Sequence, residues 1–118
     1  MRNHLQTLPW LGLLSFVGLL LGCSEKAVEK PPLTASQIRG QRLYQASCAV
    51  CHRADSDANL NGPGLKGMYD KKFLTSGAPA NDERVEEVIR RGRRNMPGYA
   101  GMYSDPQIAD LIAYLHSL

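Results

Sequence analysis

Cys48 and Cys51 stand three positions apart with His52 directly behind them, and no other stretch of the chain restricts its fold as strongly. On a turn of helix that spacing presents both sulfurs to one edge of a flat ring, and the histidine then lies beneath the ring's centre. Cys48-Ala49-Val50-Cys51-His52 is therefore the pattern that covalent attachment of a c-type haem requires. Each thiol can add across one vinyl group to leave a thioether, and the imidazole is the natural proximal ligand of the iron. The second axial position then decides whether the metal carries electrons or takes a small molecule.

Two other uses of a cysteine pair compete with this one. A redox Cys-x-x-Cys wants a strand before it and a helix after it, and nothing upstream alternates like a strand. A structural zinc site needs four ligands. The other histidines are His4 and His116, and His4 lies in a segment expected to be removed. The pair is accordingly assigned to a single covalently bound haem c.

A chain of 118 residues allows one domain, and a small one once a leader is subtracted. So short a polypeptide buries a modest core, and a large apolar macrocycle tethered at Cys48 and Cys51 would supply what the chain lacks. The chain without haem is expected to fold poorly. Of the 14 basic residues only Arg2 falls in the leader, so the remainder nearly balances the 11 acidic ones. That balance argues against nucleic acid as a partner. Cys23, the third cysteine, has a use of its own, so no disulfide is expected.

Residues 1–22 read as an export signal. Arg2 supplies a basic start, Leu11 to Leu21 an apolar run too short to span a bilayer comfortably, and Leu20-Leu21-Gly22-Cys23 a cleavage site. Cleavage before Cys23 resembles the lipobox of bacterial lipoproteins, which implies a lipid anchor on that cysteine and a stable hold on a membrane. An ordinary secretory signal and an uncleaved anchor helix are the alternatives. Residues 23–33 are charged and carry Pro31 and Pro32, with almost nothing to bury, so they read as a flexible tether.

The domain itself is placed at 34–118. Thr34-Ala35-Ser36-Gln37 has the form of a capping box and opens a first helix running to the haem motif. Gly40 inside that helix costs about 1 kcal/mol relative to alanine, which suggests that another backbone or ring comes close. From Arg53 to Ala80 turn formers are dense, and a wrapping loop with one short helix is expected. Within it, Asn61-Gly62-Pro63-Gly64-Leu65 is either a surface turn or the place where a carbonyl accepts a hydrogen bond from His52 Nδ1. Asn81 or Asp82 caps a helix carrying Val85, Val88 and Ile89 and ending near Gly92. Arg90, Arg91, Arg93 and Arg94 close it, either as cations favoured by the helix dipole or as a docking surface.

Asn95-Met96-Pro97-Gly98-Tyr99 follows. A thioether is a soft, neutral ligand that holds iron in both oxidation states, and Met96 sits among turn formers rather than on an apolar stripe. It is therefore the candidate sixth ligand, with Met68 and Met102 as competitors. Ser104-Asp105-Pro106-Gln107 is a second capping box, and Ile108, Leu111, Ile112 and Leu115 recur at helical spacing behind it. Tyr114 could lie against Gly40 where the two terminal helices cross, while His116 at the chain end is expected to face solvent.

Taken together, these residues resemble class I cytochrome c: a first helix with Gly40 ending in Cys48-x-x-Cys51-His52, a Gly62-Pro63 loop, Met96-Pro97, and a last helix with Tyr114. The resemblance covers residues 34–118. It implies an all-α fold of three to four helices wrapped round one haem, His52 and Met96 as axial ligands, the Pro63 carbonyl on His52, and terminal helices crossing near Gly40. The expected role is a carrier of single electrons, not an enzyme, lipid-anchored on the periplasmic side and monomeric, working between a redox donor and acceptor. Two alternatives stand beside it: a haem-based ligand sensor or peroxidase-like protein with a labile sixth ligand, and a permanently bound subunit of an oxidase or dehydrogenase.

Overall fold

The computed structural model describes residues 30–118; the leader, Cys23 and most of the tether lie outside them. In chain order come α1 (Ala35–Ser47), a 3₁₀ turn (Met68–Asp70), α2 (Asp82–Arg91) and α3 (Asp105–Leu115). Among the described residues extended pairing is confined to two isolated bridges, Phe73 with Pro79 and Arg93 with Met96. The fold is all-α, as the motif order implied.

Both capping boxes form. The Gln37 side chain accepts from the Thr34 amide at 2.8 Å while the Thr34 hydroxyl accepts from the Gln37 amide. The Gln107 side chain likewise accepts from the Ser104 amide at 2.9 Å, with Pro106 in the first turn of α3. Each such cap satisfies amides that a helix start leaves unpaired. Asn81, rather than Asp82, caps α2 by accepting from the Arg84 amide at 3.0 Å. Acidic Asp82 and Glu83 in the first turn and Arg90 and Arg91 in the last suit its dipole.

The terminal helices cross at Gly40. A methyl group there would fall 2.6 Å from the Asp110 carbonyl carbon and 2.8 Å from Tyr114 Cβ, closer than atoms pack, so the crossing requires glycine. Tyr44, one turn on, tilts against Tyr114 with ring centroids 5.4 Å apart. The same crossing is pinned by Asp110, whose carboxylate receives Arg39 at 2.6 and 2.8 Å and the Ser36 hydroxyl at 2.5 Å. Arg39 and Ser36 hold that carboxyl below its ordinary range.

Around this pair the core consists of Tyr44, Val85, Ile89, Tyr99 and the inner face of α3, with Ile108 and Leu111 the most enclosed. Leu65, Met68, Leu74 and Met96 pack against it but remain half-covered.

Candidate functional site

Cys48 caps α1, its amide donating to the Tyr44 carbonyl at 2.7 Å, so the motif leaves directly from the last helical turn. One more turn follows, the amides of Cys51 and His52 both donating to the Cys48 carbonyl at 3.0 and 2.9 Å. The Tyr44 hydroxyl reaches forward and donates to the His52 carbonyl at 2.7 Å. The helix that carries the motif therefore also fastens its far end.

His52 is set by the backbone of Gly62 and Pro63. Its Nδ1 lies 2.8 Å from the Pro63 carbonyl oxygen. A carbonyl can only accept, so Nδ1 carries a proton, and in the neutral ring Nε2 is then the nitrogen with the lone pair, which is the tautomer a metal ligand needs. The adjacent Gly62 lies flat against the imidazole: a Cβ there would come within 2.9 Å of Nδ1 and 3.0 Å of Nε2. Its amide donates to the Cys51 carbonyl at 2.8 Å, and Leu65 donates to Arg53 at 2.8 Å. Residues 61–65 are thus a second layer laced to the motif rather than a free surface turn.

Cys48 and Cys51 are both free thiols, half-buried. Burial, and then the neighbouring Cys51, pushes the Cys48 thiol up to about 11, so at neutral pH it is a small uncharged group packed against the core. Val50 between them is 71% exposed and Leu60, across from it, 48%. Asn61, the neighbour of Leu60, donates weakly to the Val50 carbonyl at 3.5 Å.

The Met96 loop is built onto the end of α2. Arg93 and Met96 exchange backbone hydrogen bonds of 3.0 and 2.9 Å, and Tyr99 and Ala100 donate to the Ile89 and Arg90 carbonyls at 2.9 and 3.2 Å, satisfying orphaned helix-end acceptors. Two glycines allow so close an approach. A Cβ on Gly92, whose φ is +74°, would strike the Met96 carbonyl and the Gly98 amide, and one on Gly98 would meet the Arg90 carbonyl at 2.7 Å. Arg94 in this turn also has a left-handed φ of +52°, a strained choice for a residue with a side chain.

Of the three methionines in the described residues, Met96 and Met68 are half-buried against the core, and Met102 is 65% exposed. Met68 lies in the 3₁₀ turn, on the loop that follows His52. The arginines at the end of α2 divide in two. Arg90 pairs with Glu86 and Asp105, and Arg91 with Glu87, whereas Arg93 and Arg94 make no ion pair among the described residues. His116 is exposed as expected, yet it stacks on Tyr69 at 3.7 Å and its Nε2 meets Asp82 at 2.7 Å.

Sequence reasoning missed Tyr99 and Tyr103, whose hydroxyls both reach Ser47, the residue before Cys48. Two tyrosines four apart around Gly101, directly behind the candidate ligand, are the signal that could have found them.

The residues fit a c-type haem. They offer two free thiols, an imidazole with the correct nitrogen available, a thioether loop on a separate element, and apolar side chains left half-covered along the way. Residues 35–115 match the family described as cytochrome C oxidase, cbb3-type, subunit III. A cytochrome c6 of Picosynechococcus sp. is 30% identical over 88 residues, covering 72% of this chain and 75% of its own. A cytochrome c6-like protein of Nostoc sp. is 30% identical over 86 residues, covering 72% and 74%. Cytochrome c-551 of Bacillus subtilis is 33% identical over 86 residues, covering 73% and 65%.

Proposed function

Because the chain belongs to the class I c-type cytochromes, small electron carriers with one covalently bound haem c, we propose that it is a lipid-anchored shuttle on the periplasmic side, with Cys48 and Cys51 holding the haem and His52 and Met96 its axial ligands. The observation that best supports this is the His52 Nδ1 bond to Pro63, which leaves Nε2 available as a ligand directly behind the free thiols of Cys48 and Cys51. When bound, the haem supplies a reversible one-electron couple. The chain does the rest. His52 keeps its Nδ1 proton on the Pro63 carbonyl in both oxidation states, so the imidazole does not turn as charge changes. Met96 would supply a neutral sulfur from a loop fastened to α2, and with His52 and Met96 both holding the iron no site would be left for a substrate.

The exposed side chains of Val50, inside the haem motif, and of Leu60 are the natural place for the electron to leave, since a partner can press there without touching the ligands. The anchor on Cys23 and the tether to residue 33 would confine encounters to the membrane surface and raise the effective concentration of donor and acceptor. Among the described residues no helix is long and apolar enough to cross a membrane.

A second reading, a permanently bound oxidase subunit, draws on the same exposed apolar side chains and on the description of the matched family. Purification from membranes in mild detergent separates the two: a shuttle elutes alone, and a bound subunit elutes with partners at fixed stoichiometry.

The ligand assignment is tested by comparing Met96→Ala with Met68→Ala. Met96→Ala is expected to keep its haem but lose the weak sulfur–iron absorption band and show a lower potential. Loss of that band in Met68→Ala, with Met96→Ala unchanged, would move the ligand to the 3₁₀ turn.

A further inference from the structure

The Met96 loop has two anchorages. One is backbone, through the carbonyls of Ile89 and Arg90 at the end of α2. The other is made of side chains and joins it to a different element. The Tyr99 hydroxyl donates to the Ser47 carbonyl at 3.2 Å, and the Tyr103 and Ser47 hydroxyls share a hydrogen bond of 2.5 Å. The rings of Tyr99 and Tyr103 stack nearly parallel, 10° apart with centroids at 5.6 Å, because the Tyr103 amide donates to the Tyr99 carbonyl and puts both on one face of a turn. Ser47 is the last residue of α1, directly before Cys48.

These two hydroxyls therefore tie the segment bearing the sixth ligand to the segment that bears the thiols and the fifth. The α2 anchorage cannot do this, since α2 carries neither.

We propose that Tyr99 and Tyr103 are positioning residues whose hydroxyls, fastened to Ser47, hold the Met96 loop against the haem-attachment segment and so set how readily an outside ligand displaces Met96. The proposal rests on Met96 as the sixth ligand. For a small molecule to take that position the loop must swing away while Cys48 stays attached, and the bonds to Ser47 break in the process. Each hydroxyl then opposes displacement by the net worth of one hydrogen bond, about five-fold in the equilibrium constant.

The experiment titrates the oxidised, full-length holoprotein with imidazole and follows the sulfur–iron band, for wild type and for Tyr99→Phe, Tyr103→Phe, Ser47→Ala and Asp110→Asn. The phenylalanine variants keep the stacked rings and lose only the hydroxyls. Each is expected to bind imidazole about five-fold more tightly. Ser47→Ala is expected to match Tyr103→Phe, and combining the two to add nothing further, since both remove one bond. Asp110→Asn loosens the α1–α3 crossing instead, and is expected to lower thermal stability without changing imidazole affinity.

Tyrosine variants that melt earlier yet bind imidazole like wild type would overturn the proposal, leaving the hydroxyls a structural role. A wild type lacking the sulfur–iron band, whose imidazole affinity is unaltered by Met96→Ala, would overturn the Met96 assignment and this proposal with it.

Discussion

Replacing Gly40 by alanine sets two known effects against each other. Alanine is the better helix former by about 1 kcal/mol, so at an open position the change stabilises. At this position the new Cβ would sit 2.6 Å from the Asp110 carbonyl carbon and 2.8 Å from Tyr114 Cβ. Carbon atoms pack at about 3.5–4 Å, so α1 and α3 would have to separate by about 1 Å at their crossing. The backbone of α3 cannot turn aside as a side chain would. Overpacking costs about 1–3 kcal/mol, and a clash with backbone belongs at the upper end, which leaves a net loss of about 2 kcal/mol after the helix gain. For a domain of this size that lowers Tm by about 8–16 °C. Thermal unfolding of the holoprotein, followed by far-ultraviolet circular dichroism, reads the shift. Gly101, which has no neighbour within 4 Å of an added Cβ, is the control, and Gly101→Ala is expected to leave Tm unchanged or raise it slightly. A Gly40→Ala protein as stable as wild type would refute the claim that the terminal helices touch through backbone at this point.

Two further outcomes are expected. Burial pushes the Tyr44 phenol up to about 12, from an ordinary value of 10.0. The folded chain therefore keeps a proton that the unfolded chain loses above pH 10, and stability is full below pH 10 and declines as pH climbs toward 12. Urea midpoints across that range should fall with a slope that Tyr44→Phe makes shallower; an identical slope in the variant would remove Tyr44 as its source. Cys23→Ser should move the mature protein out of the membrane fraction, and a variant still membrane-bound after washing would point to an uncleaved signal helix instead of a lipid.

The helices were legible because their signals are local. Thr34 with Gln37 and Ser104 with Gln107 announce two helix starts within four residues each, and the 3.6-residue recurrence of Ile108, Leu111, Ile112 and Leu115 marks the buried face of α3. Gly40 was legible for a related reason, since a glycine in a helix interior requires an explanation and Tyr114 was at hand to give one. What connects the helices around the Met96 loop was not legible. Tyr99 and Tyr103 meet Ser47 across 52 and 56 residues, with no periodicity to announce the pairing. The paired glycines at 92 and 98 read as ordinary turn formers until the end of α2 lies beneath them. His116 read as a frayed end, and only the chain path that brings Tyr69 and Asp82 beside it gives the ring something to stack on and to bond.

A carrier role requires one haem with both axial positions filled by the chain's own His52 and Met96. Exposing the reduced, full-length holoprotein to carbon monoxide at neutral pH tests it most directly, because the gas binds only where a position is open or weakly held. An absorption spectrum unchanged over minutes is the expected result. An immediate shift to a carbon monoxide complex would contradict it and make the protein a ligand binder instead of a carrier.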